Sequence, residues 1–359
     1  MGRMKEVLKK APGARKVVHF VRKVRGDSFR ALCEREVSLL STQVRLLRSN
    51  AQSIALAVAE MERERRSGAH PPPEIGSAEQ LPNLKSTSRL CTQREFMTSE
   101  YLYWCKRIKE APLWHRKQWE YYFIAQALWE KGMLTSGRRG CGFGVGQEPL
   151  PTLFATFGCK IVGTDAPANE EIEKHWNNTG QYAASLDALN LRGIAPKETF
   201  LANVTYRPVD MNQIPADLND FDFVWSTCAL EHLGGLEQGS RFLLNSCRCL
   251  KPGGVGVHTT ECNISSDEKT VDRGPVVLFR KKDIMEMAAR LMEIGCELLP
   301  VDFAAGDGLL DKIVAVPPYD FSRADLPMLR IMLGDYVTTS IGLIVRKPMT
   351  CRAPYSVHS

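Results

Sequence analysis

Gly140-Cys-Gly-Phe-Gly-Val-Gly146, running on into Gln147-Glu-Pro-Leu150, decides how this 359-residue chain is read. Closely spaced glycines after a strand let the backbone turn sharply and approach a ligand without interference from Cβ atoms. Pro149 suits the first turn of a following helix. Glycine clusters also build ordinary tight turns, so the stretch gains weight from its surroundings. Lys160-Ile-Val-Gly-Thr-Asp165 ends in an acid 23 residues beyond Gly142. An acid at the tip of a second strand can accept hydrogen bonds from both hydroxyls of a ribose, as a nucleoside-containing cofactor requires of a Rossmann-like sheet. Taken alone, Asp165 fits a turn or an N-cap equally well.

Outward from this pair, strands alternate with helices from residue 136, the pattern of a doubly wound α/β domain. Strands are predicted at 138–143, 160–164, 205–209, 221–226, 254–260, 297–302 and 336–346, and helices at 147–157, 181–192, 237–249 and 281–295. A third acid, Asp210 in Val209-Asp-Met-Asn212, ends the third strand, where an adenine amine can be held. Asp222-Phe-Val-Trp-Ser226 forms the fourth and leads into Thr227-Cys-Ala-Leu-Glu-His-Leu233. Leu250-Lys-Pro-Gly-Gly254 turns into the fifth, Val255-Gly-Val-His-Thr-Thr-Glu261.

In this order the elements resemble class I S-adenosylmethionine-dependent methyltransferases. The matching parts are the glycines at 142, 144 and 146, Asp165, Asp210, Glu231-His232-Leu233 and Leu250-Lys-Pro-Gly-Gly254, within residues 136–350. The resemblance implies a Rossmann-like seven-stranded sheet with an antiparallel final strand, and S-adenosylmethionine across the ends of the first two strands. It implies cofactor contacts from Gly142, Gly144, Gly146, Glu148, Asp165, Asp210, Met211 and Ser226. The longer wording, including Gly144-Val-Gly-Gln-Glu-Pro-Leu150 and His258-Thr-Thr-Glu261, is similar to bacterial methyltransferases of polysaccharide biosynthesis. Two features depart from the class. Members carry an acid two residues before the first glycine, where this chain has Gly140; Glu148 is close enough in sequence to take over the methionine amine. Asp165 and Asp210 are also 45 residues apart, about twice the gap the resemblance implies, and the insert includes His175-Trp-Asn-Asn-Thr-Gly-Gln181. That insert reads as a substrate lid or a structural excursion.

Methyl transfer needs a nucleophile held in line with the methyl group, and a hydroxyl nucleophile gains from a base. His232 follows the fourth strand, beside the place where the methyl should point, and histidine titrates near neutrality. His258 and Glu261 close the fifth strand at the same sheet edge, able to orient a polyol, to serve as the base or to brace a loop. A metal on His232, His258 and Glu261 is not demanded by their spacing, so none is expected. Val316-Pro-Pro-Tyr319 is similar to the amine-holding motif of base methyltransferases, yet it does not follow the fourth strand and reads as a loop.

Ahead of the alternating pattern the chain changes character. The net charge of +6 is uneven: residues 1–30 carry +8, residues 31–70 carry +1, and the rest carries −3. Val17, Phe20, Val21 and Val24 among the first thirty residues fit either a basic helix lying on an anionic membrane or a solvated tail. Val37, Leu40, Val44, Leu47, Ala51, Ile54, Val58 and Met61 then alternate steps of three and four, as in a coiled coil, and point to a homo-oligomer through residues 37–61. The alternative is one long amphipathic helix packed on its own domain. Segment 70–94 contains Pro71-Pro-Pro73 and reads as a linker, and residues 95–135 as an aromatic-rich helical lead-in that caps a core or lines a pocket. Residues 351–359 form a tail. No run of 18 apolar residues occurs, and the eleven cysteines include no C-x-x-C pair, so the chain reads as a cytoplasmic protein with reduced thiols. Its basic start allows a peripheral place at the inner face of the cell membrane.

The reading that follows is a methyltransferase acting on a hydroxyl of a sugar or glycan intermediate. The nearly neutral catalytic part argues against nucleic acid as partner. A coiled-coil adaptor that keeps the fold without catalysis is the further alternative.

Overall fold

The computed structural model describes residues 14–69, 87–167, 182–183, 185–319 and 323–349, with the backbone alone for 14–29, 31–32 and 68–69. Residues 1–57 and 58–359 form two units. The first contains most of a long helix, α1 (Ala14–Ala69). The helix begins well upstream of residue 31, so residues 14–30 share its backbone; residues 1–13 of the basic segment lie outside the described residues. So do residues 70–86 of the expected linker, 168–181 of the insert and the tail. From Val58 on, α1 belongs to the larger unit. There Trp114 Nε1 donates to the Ala59 carbonyl (3.1 Å), Gln93 donates to Glu62 (2.8 Å), and the Arg66 guanidinium stacks over the Trp114 ring.

The larger unit continues with β1 (Ser88–Leu90), α2 (Gln93–Phe96), α3 (Ser99–Arg107), α4 (Arg116–Glu130), β2 (Arg139–Phe143), α5 (Leu150–Ala155), β3 (Lys160–Asp165), α6 (Lys197–Asn203), β4 (Val204–Pro208), β5 (Phe221–Thr227), α7 (Leu236–Arg248), β6 (Leu250–Asn263), α8 (Lys281–Glu293), β7 (Arg330–Leu333) and β8 (Tyr336–Arg346). The sheet runs β4-β3-β2-β5-β6-β8-β1, then Val301–Asp302. Strands β2 to β6 are mutually parallel, and β8 is antiparallel to β6 over Thr338–Arg346. This is the expected Rossmann-like α/β sheet with its reversed final strand. It is wider than expected because β1, from the segment read as linker, pairs with β8. The chain leaves β2 towards β3 and returns on the other side of β2 as β5, so the order reverses at the β2/β5 boundary, where open sheets of this kind form a ligand crevice.

Side chains alternate along β5 and fill two cores. Phe223 and Trp225 face one cluster with Phe123, Leu128 and Phe154, while Val224 faces another with Phe242, Leu243 and Met287, which Phe221 joins because the register shifts between Phe221 and Phe223. Burial on both faces explains the apolar run Phe223-Val-Trp225 in β5. The lead-in is therefore integral to the catalytic unit, since α4 supplies a wall of the first core.

Candidate active site

Strand β2 pairs with β5 so that Gly140 lies opposite Phe223 and Gly142 opposite Trp225. A Cβ on either glycine would fall inside the facing ring. These two glycines make room for aromatic packing: Phe154 meets Trp225 edge-on at 5.0 Å, and Phe223 stacks on Trp225 at 5.9 Å. The position where the class carries an acid is thus taken up by the Phe223 ring, and Gly142, expected at the cofactor, is a packing residue inside the strand. The turn proper begins at Gly144, whose φ of +61° favours glycine. Its missing Cβ would lie 3.0 Å from Ala229 and 3.2 Å from the Met211 sulfur, so the bare backbone brings the ends of β4 and β5 against the loop.

Asp165 closes the other side. Its Oδ2 accepts from the backbone N–H groups of Gly146 (3.1 Å) and Ala183 (3.0 Å), and Oδ1 accepts from Ala166 (2.8 Å). Burial raises its pKa, and the three backbone donors work against that rise. A carboxylate has about four acceptor positions, so the oxygen that accepts from Ala166 keeps room for a hydroxyl among the described residues. Gly144, Gly146, Asp165 and Met211 are therefore brought together at one edge. Asp210 follows β4 in a local loop, where its Oδ1 accepts from the Asn212 N–H at 2.8 Å. Glu148 lies buried beneath the loop, where Trp225 Nε1 donates to it at 2.6 Å and the Thr227 hydroxyl donates to its other oxygen. Burial lifts its pKa to about 7, against the pull of those two hydrogen bonds. This set fits the nucleoside of the expected cofactor through Asp165 and the Gly144–Gly146 backbone, and Glu148 is a buried acid beside that loop.

Ser226 and His258 are corrected by strand parity. Both are fully buried. They face α7, with His258 Nδ1 2.8 Å from the Ser226 hydroxyl, Nε2 3.3 Å from the Ser246 hydroxyl, and the Phe242 ring edge-on. Burial drives the imidazole pKa down to about 3, so it stays neutral. One residue of register separates it from the face that Glu261 occupies. His232 ends a short turn, half-buried, with Nδ1 2.8 Å from the Pro275 carbonyl.

Glu261 instead joins a polar cluster that the sequence reading did not assemble. Its carboxylate pairs with Arg116 and accepts from the Thr338 hydroxyl at 3.0 Å. Glu231 accepts from Thr260 at 3.0 Å, and burial raises its pKa. At the start of α4, His115 Nδ1 caps the helix by accepting from the Lys117 N–H (3.0 Å). Lys117 Nζ lies 2.7 Å from Glu120, which also accepts from the Ser340 hydroxyl (2.5 Å) and the Cys228 thiol (3.1 Å). Burial works against Lys117's charge, but Glu120 outweighs it and raises the pKa; Lys117 and Arg116 hold Glu120 below the usual carboxylate range despite its burial. Cys228 follows β5 at φ +47°, a strained backbone for a residue with a side chain, and strain of this kind gathers at functional sites. Its sulfur and oxygens of Glu231 and Glu261 lie within 4.8 Å of one another. Arg116 already supplies Glu261's countercharge, and burial keeps the thiol protonated, so the three form a wall of the cluster. A signal for α4 existed: Arg116 and Glu120 share a helical face with Phe123 and Ala127, placing charges on an otherwise apolar, buried stripe.

Residues 139–257 match the family model described as a methyltransferase domain. The chain thus carries a methyltransferase domain, whose cofactor is S-adenosylmethionine. No curated protein matches it in sequence. Among solved structures it is similar to a S-adenosylmethionine-dependent methyltransferase from Mesorhizobium loti (17% identity, 61% of this chain and 95% of that one, TM-score 0.37). It is also similar to phosphoethanolamine N-methyltransferase 2 of Haemonchus contortus (17% identity, 60% of this chain and 49% of that one, TM-score 0.37). No helix among the described residues is long and apolar enough to cross a membrane.

Proposed function

We propose that the protein methylates a hydroxyl of a sugar or glycan intermediate. The supporting observation is the cluster at the carboxyl ends of β5 and β6: carboxylates Glu120, Glu231 and Glu261 interleaved with the hydroxyls of Thr260, Thr338 and Ser340 and the cations Arg116 and Lys117. Carboxylates that already accept from hydroxyls suit the repeated hydroxyls of a polyol. When bound, S-adenosylmethionine supplies an electrophilic methyl group. This chain holds the nucleoside on Asp165 and the Gly144–Gly146 backbone, and holds the acceptor against Glu261. As the oxygen–methyl bond forms and the carbon–sulfur bond breaks, the hydroxyl proton passes to the Glu261 carboxylate, which Arg116 orients.

The excess of basic residues over 1–30 supports a place against an anionic membrane on the cytoplasmic side. Deleting residues 1–30 should abolish sedimentation with phosphatidylserine vesicles and leave cofactor binding intact; vesicle binding that survives the deletion contradicts it. Methyl-tritiated S-adenosylmethionine offered with a panel of sugar nucleotides and glycan intermediates tests the acceptor. Label should enter a sugar as an alkali-stable methyl ether, and Glu261→Gln should reduce its rate at least tenfold with cofactor affinity unchanged. Label in RNA or DNA, and in no sugar, would overturn the proposal.

A further inference from the structure

The stripe on α1 leaves a second surface unaccounted for. Val37, Leu40, Val44, Leu47 and Ile54 are 56–67% exposed, and Ala51 continues the same seam. With Val37 as position a of a heptad, Val44 and Ala51 are also a, and Leu40, Leu47 and Ile54 are d. Exposed apolar side chains repeating every 3.5 residues specify a left-handed supercoil with another helix. We infer that the occupant is a second copy of this chain, paired in parallel and in register through residues 33–54.

Three features favour that partner. In the two central heptads valine at a (Val37, Val44) with leucine at d (Leu40, Leu47) is the arrangement that favours two parallel strands. The flanking g and e′ positions juxtapose Glu36 with Ser41 and Gln43 with Arg48, so no like charges face each other between identical helices. The repeat also continues one step upstream, to d at Cys33, which is exposed, giving a seam of three heptads and about 32 Å. Leu39 and Leu46, also exposed, fall at position c, outside a two-stranded seam.

Sedimentation equilibrium of the full chain over a concentration series should give twice the chain mass. Leu40→Asp combined with Leu47→Asp should give a monomer that binds S-adenosylmethionine as before. Mild oxidation by copper–phenanthroline then reads the direction. In a parallel pair the two Cys33 thiols face each other, lose two protons and two electrons to the oxidant, and form one disulfide. The covalent dimer should vanish in Cys33→Ser. A monomer at every concentration, a trimer or tetramer, or a dimer that survives the double substitution would overturn the proposal. A dimer that never cross-links through Cys33 would overturn the parallel register.

Discussion

Gly142 shows how a motif residue can serve packing while its neighbour serves the site. A methyl group at 142 enters the Trp225 indole, whereas at 144 the obstacle is the backbone conformation itself. Gly142→Ala should therefore destabilise the fold by about 1–3 kcal/mol through overpacking and shift the tryptophan emission; an unchanged urea midpoint contradicts that placement. Glu148 makes a second prediction. Its folded pKa of about 7 stands above the ordinary carboxylate value, so the folded state keeps a proton that the unfolded chain releases. Stability should accordingly fall as pH rises from about 4.5 through 7, by on the order of 3 kcal/mol once the group ionises. Asp165 and Glu231, also raised, act with the same sign. Glu148→Gln loses one acceptor for Trp225 or Thr227 and lowers stability at pH 5, but flattens the slope. Urea unfolding at pH 5 to 8 reads both; parallel slopes for wild type and variant would contradict the assignment.

At the scale of elements, helix α4 carries the least expected role. Glu120 is fully buried, and its removal leaves Lys117 without a countercharge and two donors without an acceptor. Glu120→Ala should cost roughly 3 kcal/mol, clearly more than Ser340→Ala, which removes one hydrogen bond worth about 1 kcal/mol. Equal melting points for the two variants would contradict the network. The alternation of strands and helices was legible because β3, β5 and β6 contain runs of apolar or β-branched residues bounded by turns. Strand ends and the glycine loop were legible for the same local reasons. The cluster was not: α4 reaches it through tertiary packing, and Thr338 and Ser340 arrive on a reversed strand some 75 residues after Glu261. His258 was misplaced because membership of an edge says nothing about which face a side chain takes, and one residue of parity sends it towards α7. The α1 backbone likewise runs through Arg30 without a break that the charge profile could reveal.

For the whole molecule, charge and hydrophobicity separate by position. The net positive charge gathers within residues 1–30, the exposed heptad seam occupies residues 33–54, and the methyltransferase sheet follows with a slight negative charge. In the functions proposed above, location, self-association and chemistry fall to consecutive segments, and a change in one should leave the others readable. In the proposed function the cofactor is held at the edge formed by Gly144, Gly146 and Asp165. Calorimetric titration of the full chain with S-adenosylmethionine tests it most directly. The expected result is saturable binding at one site per chain, with a dissociation constant below millimolar, weakened at least tenfold in Asp165→Ala while the variant stays folded by circular dichroism. No binding by the wild type, or wild-type affinity in a folded Asp165→Ala variant, would contradict it.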